Sequence, residues 1–207
     1  MDWRVLALAG ALVLAGCGSA SDRVVASGSP AAVEDAALSE TGYEPVSRTN
    51  RTLNTTVRAT ISGDVEMNAQ RSVTATTPIA TYRRATDAGP ALFVVATAPA
   101  VRPIENQPVV RNPLVAEGTA HLVGYVQSTY AVESLTRQST TTVTVLGNET
   151  TARTSTGPAT RDGTAVSLRV VVASVRHDGE FVTAVAVGPR ATADRDRVRR
   201  LLAGVTH

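Results

Sequence analysis

Cys17 has the sharpest chemical context of any residue in this chain. It follows Leu14-Ala15-Gly16 and closes an apolar run from Val5 to Leu14 that only Gly10 interrupts. Asp2-Trp3-Arg4, ahead of that run, carries one positive side chain. A short basic start, an apolar stretch and small residues before a cut are the layout of a secretory signal. Small side chains at 15 and 16 let an extended chain enter a narrow protease groove, and a Cys17 thiolate is the nucleophile that takes up a lipid. The lipobox reading predicts cleavage after Gly16 and lipidation of Cys17. The competing readings are an ordinary signal peptide with an incidental cysteine, and a membrane-spanning helix. Val5–Gly16, at about 1.5 Å per residue, reaches roughly 18 Å and falls short of a ~30 Å hydrocarbon core. Cys17 is the single cysteine of the sequence and falls at the box, which favours lipidation. Two lipid chains there would hold the protein stably, where one is marginal.

Elsewhere the chemistry is sparse. One cysteine excludes an intramolecular disulfide framework and a multi-cysteine zinc site. His121, His177 and His207 fall on a helix face, in a hairpin turn and at the last position, and are expected on solvated surface. Glu34-Asp35 are adjacent on a helix and point apart, so nothing proposes a paired-carboxylate site. The glycine-rich phosphate loops, the HExxH pair and the GxSxG elbow are all absent from the sequence. No catalytic residue, metal site or cofactor is predicted. Every basic side chain is Arg. Arg195, Arg197, Arg199 and Arg200 form the densest basic stretch, and Arg83-Arg84 a second. The functional reading is a patch for anionic headgroups or an acidic envelope partner. Asp194 and Asp196 interleave with the arginines, which favours a solvated, internally salt-bridged face. Nucleic acid is not expected as a partner, because no aromatic residues interleave with the charges. Asn50, Asn54 and Asn148 head N-x-[ST] sequons and are candidate glycosylation positions in an exported chain.

The elements that must position these residues follow from periodicity. Cys17 leads into a Ser-, Ala- and Gly-rich stretch to Pro30, read as a flexible tether. Residues 32–40 read as a short helix stopped by Gly42, with Val33, Ala36, Ala37 and Glu40 as its stripe. Residues 55–61 and 65–69 suggest a hairpin, and 72–82 a further strand that Pro78 confines to an edge or bulge. Residues 91–98 read as a central strand and the proline-rich 101–113 as a loop. A main helix is expected over 116–132, burying Thr119, Leu122, Val123, Val126 and Tyr130 and leaving His121, Gln127 and Ser128 outside. Hairpins are expected around Gly147-Asn148 and His177-Asp178-Gly179. In residues 165–175, Val166, Leu168, Val170 and Val172 face one way and Val171, Ala173 and Val175 the other, as in a sheet covered on both sides. A last helix over 192–203 buries Val198, Leu201, Leu202 and the following Val205, with Asp194–Arg197 and Asp196–Arg200 pairs on its exposed side. The sum is an α+β class: a mainly antiparallel sheet with about three helices packed on it, as one domain over 31–207. The signal occupies 1–16, and the lipidated cysteine with its tether 17–30.

The segments ALSETGYE, VTVLGNETT and the terminal LLAGVTH, within a pattern that covers nearly all of the mature chain, resemble a haloarchaeal lipoprotein family of unknown function, the domain of unknown function 6517. The resemblance implies an exported, lipid-anchored protein of the archaeal envelope and supplies no site residue beyond Cys17. Absence of lysine fits such a source; the slightly basic balance departs from the acidic excess usual there. The order of helices and strands also resembles PsbP-like domains, which pair an antiparallel sheet with helices.

At 207 residues with 43% hydrophobic and 3% aromatic content, the chain can bury a core built mainly of Val, Ala and Leu. The expectation is a non-enzymatic module anchored to membrane lipid through Cys17, on the extracytoplasmic face, binding an envelope protein or a small ligand. The alternatives are a structural envelope protein, and a hydrolase of envelope polymers that would need a pocket collecting a histidine or two carboxylates.

Overall fold

The structure is a computed structural model that describes residues 23–61, 67–104 and 108–207. Gly16, Cys17 and the whole signal segment lie outside the described residues.

The described residues form an α+β single domain of three α-helices and a curled, mixed nine-stranded sheet, with a separate two-stranded pair. It opens with β1 (Arg23–Ser27), β2 (Ala32–Val33) and α1 (Asp35–Thr41). The long strands β3 (Glu44–Ile61) and β4 (Met67–Arg84) follow, then β5 (Ala91–Pro99), a 3-10 turn and α2 (Thr119–Val126). Next come β6 (Ala131–Val132), β7 (Thr136–Val145), β8 (Asn148–Arg161), β9 (Thr164–His177) and β10 (Glu180–Pro189). A 3-10 turn over Arg190–Thr192, α3 (Arg195–Ala203) and β11 (Val205–Thr206) finish the chain. The sheet runs β3, β4, β5, β10, β9, β8 and β7 across its width, with β1 parallel to β4 and β6 beside β8. The second sheet is β2 paired with β11, which ties the two ends of the described chain together.

Several elements differ from their sequence pattern. Residues 23–30 of the expected tether belong to the fold: β1 pairs with Ser72–Thr76, and the Gly28 amide donates to the Thr76 carbonyl at 2.9 Å. The two strands expected at 65–69 and 72–82 are one strand, and its partner β3 starts at Glu44. Period-2 patterning in a Thr-rich chain is too weak to show such continuity. Pro78 is on a central strand, contrary to expectation. It lies where the neighbour of β4 changes from β1, ending at Thr76, to β5, beginning at Ile79. The Thr76 carbonyl points to that side, so by two-residue alternation the donor that Pro78 lacks would have pointed into the gap.

The helix expected over 116–132 is only eight residues long. Gln127 ends it: its Nε2 donates to the Tyr130 carbonyl and its Oε1 accepts the Tyr130 amide, both at 2.9 Å. Gln127 is therefore buried, not solvated, whereas Leu122, Val123, Val126 and Tyr130 are buried as their spacing indicates and Thr119 is only half-buried. In α1 the buried face is Ala37, Leu38 and Thr41, and the expected stripe members Ala36 and Glu40 are exposed. Gly42 does stop that helix, in a left-handed conformation at φ 71°. Consecutive hairpins from β7 to β10 turn on Leu146-Gly147, Asp162-Gly163 and Asp178-Gly179, each with positive φ at both positions. That is the turn whose twist suits paired strands. Asn148 belongs to β8, one residue past its turn.

Both sheet faces are covered. On one, α1 and α3 pack with Phe93, Tyr82, Leu201 and Leu202; on the other, α2, Val101 and Leu114 pack with Val94, Leu168 and Leu122. Among the described residues no helix is long and apolar enough to cross a membrane.

Candidate functional site

Directly paired strand residues lie on the same face of a sheet. One row crosses four strands on the α3 side. Arg84 of β4 is opposite Ala91 of β5, and Gly188 of β10 is opposite Arg169 of β9. Gly188 lies against Ala91, since a methyl added to it would fall 3.2 Å from the Ala91 Cβ. The row therefore reads Arg, Ala, Gly, Arg. Its end residues are three strand spacings apart, about 14 Å between backbones, so two long side chains can reach over a floor of two small ones. The neighbouring row, Tyr82, Phe93, Ala186 and Val171, is apolar. The arginines thus mark the point where the core face of the sheet becomes polar.

Above this row the chain leaves β10 at Pro189, turns through Arg190–Thr192 and enters α3. Asp194 caps α3, its Oδ1 accepting the amides of Asp196 and Arg197 at 3.0 and 3.2 Å. Its Oδ2 accepts from Arg197 Nε at 2.8 Å, and Arg197 Nη1 donates to the Thr41 carbonyl at 2.9 Å. The Arg197 amide is the largest influence holding the Asp194 carboxyl below its usual range. Between roof and floor is a cavity of about 40 Å³, walled by Tyr43, Val171, Ala186 and Val198 and bordered by Arg84, Arg169, Arg195 and Arg197. A water needs about 10–15 Å³ measured in this way, so the space suits a few waters or one small head group. The Arg84 guanidinium carbon lies 5.8 Å from the Tyr43 ring centroid. Burial raises the Tyr43 hydroxyl pKa, and the charge and hydrogen bond of Arg84 oppose that shift. The Nε atoms of Arg84 and Arg169 are buried and have no hydrogen-bond acceptor. Among the described residues neither arginine has a carboxylate partner.

The basic stretch singled out in the sequence is divided by the helix. Arg197 turns to Asp194 and Thr41, and Arg199 Nη1 pairs with Asp196 Oδ1 at 3.2 Å. Arg200 binds Glu40 of α1 with two nitrogens, Nη2 to Oε1 at 2.7 Å, instead of the expected Asp196. That fork holds the Glu40 carboxyl low and the Arg200 guanidinium high. Arg195 is exposed at the cavity rim. Asn50 and Asn54 are exposed on β3, and Asn54 Oδ1 accepts from the Thr74 hydroxyl at 3.0 Å. Asn148 is exposed, its Nδ2 donating to the Leu146 carbonyl at 2.9 Å.

The histidines do not all lie on solvated surface. His121 does, half exposed and 3.3 Å from Glu117. His177 and His207 meet edge to face, with Nδ1 atoms 3.0 Å apart, and the His207 side chain is 5% exposed. The β9–β10 hairpin places His177 opposite Glu180, and β11 brings the end of the chain beside them. Glu180 lies 3.3 Å from His207 Nε2 and accepts the Ser29 amide and hydroxyl at 2.8 and 3.0 Å. The Ser29 hydroxyl donates to the carboxylate and not to a ring nitrogen, so no serine–histidine relay is formed. The cluster fastens the two ends of the described chain to the sheet.

Arg169 carries no motif, but a signal for it exists. Extending the Val171, Ala173, Val175 face by one period lands on Arg169, a charge on a core-facing row.

A family model described as "Domain of unknown function (DUF6517)" matches residues 30–206. No curated protein and no solved structure gives a match.

Proposed function

We propose that this chain, which belongs to the DUF6517 family, is a lipid-anchored, extracytoplasmic, non-enzymatic binding module that takes a small ligand into the cavity beneath α3. One observation carries the binding reading. Two guanidinium groups, from strands β4 and β9, border a cavity with buried donors that nothing in the chain satisfies. A buried donor without a partner costs about 1–3 kcal/mol, and a purely structural envelope module would gain by replacing these arginines with apolar side chains. An occupant that brings negative charge against the two guanidinium groups offsets part of that cost. The anchor half of the reading rests on Leu14-Ala15-Gly16-Cys17 and on a domain that begins within a few residues of it.

Native mass spectrometry of the chain released gently from membranes tests binding. A bound small molecule that disappears in Arg169→Met supports the module; an empty wild-type chain refutes it. Cys17→Ser tests the anchor by fractionation. The variant is expected to leave the membrane or to persist as uncleaved precursor, and a cleaved Cys17→Ser chain still held in the membrane would count against lipidation.

A further inference from the structure

We infer that the group the cavity receives is an oxyanion, a carboxylate or a phosphate-type group, clamped between Arg84 and Arg169. The inference rests on the ligand-binding reading above and gives it a chemistry. Sign is the first argument. Four arginines and one aspartate border the space, and that aspartate is already engaged by the α3 amides and by Arg197. The surplus positive charge sits on Arg84, Arg169 and the exposed Arg195, none of which has a carboxylate partner among the described residues. A partly desolvated cation without a counter-charge is costly, and burial makes any anion that reaches it bind more strongly. A cationic ligand would be repelled, and a neutral one would leave the charge unmatched.

Shape is the second argument. Guanidinium groups present several N–H donors in a planar fork that matches carboxylate and phosphate oxygens. Here Arg84 and Arg169 both line the one small cavity, and between their strands the sheet carries only the Ala91 methyl and Gly188. The floor is therefore low enough for an anion to sit between the forks. Tyr43 stands beside Arg84, its ring centroid 5.8 Å from the guanidinium carbon. Size is the third argument. A space of about 40 Å³ is far below the ~300 Å³ or more of drug-sized ligand sites. It takes the charged head of a ligand, with any larger body directed outward past Arg195.

The test uses the mature, lipidated chain in phosphatidylcholine vesicles at constant ionic strength. Inorganic phosphate, sulfate and acetate are titrated by calorimetry, with chloride as the reference. At least one oxyanion is expected to bind, and Arg84→Gln and Arg169→Gln should each weaken it by about tenfold or more. Arg199→Gln, outside the cavity, should bind like wild type. Should either glutamine variant unfold, Arg169→Lys keeps the charge but not the fork and should still weaken binding. A rise in wild-type melting temperature with the oxyanion over chloride is the variant-free check. Repeating the titration with phosphatidic acid in the vesicles separates the sources. Competition that Arg169→Gln abolishes assigns the oxyanion to a lipid headgroup, and absence of competition assigns it to a soluble anion. No response to any oxyanion, or binding undiminished in both glutamine variants, overturns the inference. A neutral compound retained in the native mass spectrum alongside such a failure would overturn the oxyanion alone and leave the binding module standing.

Discussion

Gly204, just past the end of α3, packs directly against Ala37 of α1, and replacing it tests how the roof of the cavity is held. A Cβ built on Gly204 falls 2.5 Å from the Ala37 Cβ, closer than two carbon atoms can stand. Nor can the backbone simply yield. The Gly204 carbonyl accepts the Glu34 amide at 2.9 Å and its own amide donates to the Arg200 carbonyl at 3.1 Å. Ala37 is 1% exposed and has no free side on which to retreat. Its φ of −86° is open to any residue, so Gly204→Ala probes packing and not backbone strain. Overpacking of this kind costs about 1–3 kcal/mol, and the lost freedom of the unfolded chain returns about 0.4–1. The net expectation is a loss of about 1–2 kcal/mol, a fall of roughly 3–6 °C in melting temperature for a domain of this size. Ala37→Gly alone should cost about 1 kcal/mol as a glycine inside a helix. In Gly204→Ala/Ala37→Gly the clash is gone, so the double variant should lose less than the two single losses together, by about 1 kcal/mol or more. Urea unfolding of the four chains measures this cycle. Additive losses, or a Gly204→Ala chain as stable as wild type, would refute the close packing of α1 on α3.

Asp194→Ala removes the α3 cap and should cost about 1 kcal/mol in urea unfolding; an unchanged midpoint would show that Arg197 and Thr41 hold the helix without it. The Asp194 and Glu40 carboxyls both titrate lower folded than unfolded, because of the Arg197 amide and the Arg200 hydrogen bonds respectively. Their contribution is complete above the unfolded carboxylate range and is lost as pH falls through the lowered folded values. Acid titration of the melting temperature should therefore fall less steeply in Glu40→Gln/Asp194→Asn than in wild type, and equal slopes would sink the assignment. Gln127→Ala strips the buried Tyr130 amide and carbonyl of their partners, an expected loss of about 2 kcal/mol, with a change below 0.5 kcal/mol, roughly the spread of neutral surface changes, as the contrary result. Glu180→Ala removes the acceptor of the Ser29 amide and hydroxyl. Hydrogen exchange over residues 28–33 should quicken while exchange in β5 and β10 stays the same; unchanged exchange at 28–33 would mean that β2 and β11 alone fasten the arm.

What could be read in the sequence is what repeats within a few residues. The buried face of α2, the stop at Gly42, the β5 core strand and the stripe Val198, Leu201, Leu202, Val205 all follow from local spacing, and the structure has them with Val198 only half-buried. The long β3–β4 hairpin could not be read, because Thr, Asn and Arg fill its outer face and blur the alternation that would reveal one continuous strand. The end of α2 was hidden for a different reason. Gln127 is polar and sits at a helical position, and only its bracket around Tyr130 shows that it closes the helix. His177 and His207 are 30 residues apart and meet because β11 pairs with β2, a contact that no local pattern announces.

The cavity shows the same limit and why it matters for function. Arg83 and Arg84 look in sequence like a pair acting together, but strand alternation sends them to opposite faces. Arg83 is exposed, whereas Arg84 points to the α3 side. The partner of Arg84 is Arg169, 85 positions away and aligned by the registers of three strand pairs. Conversely the densest run, Arg195 to Arg200, is mostly spent: Asp194, Asp196 and Glu40 take Arg197, Arg199 and Arg200. Counting arginines along the chain therefore ranks the wrong ones. Weighing burial and carboxylate partners once folded ranks Arg84 and Arg169 first, since they lie on a core-facing row, each has a buried Nε without an acceptor, and neither has a carboxylate. A charge kept on such a row at a cost in stability is expected where an occupant supplies its complement.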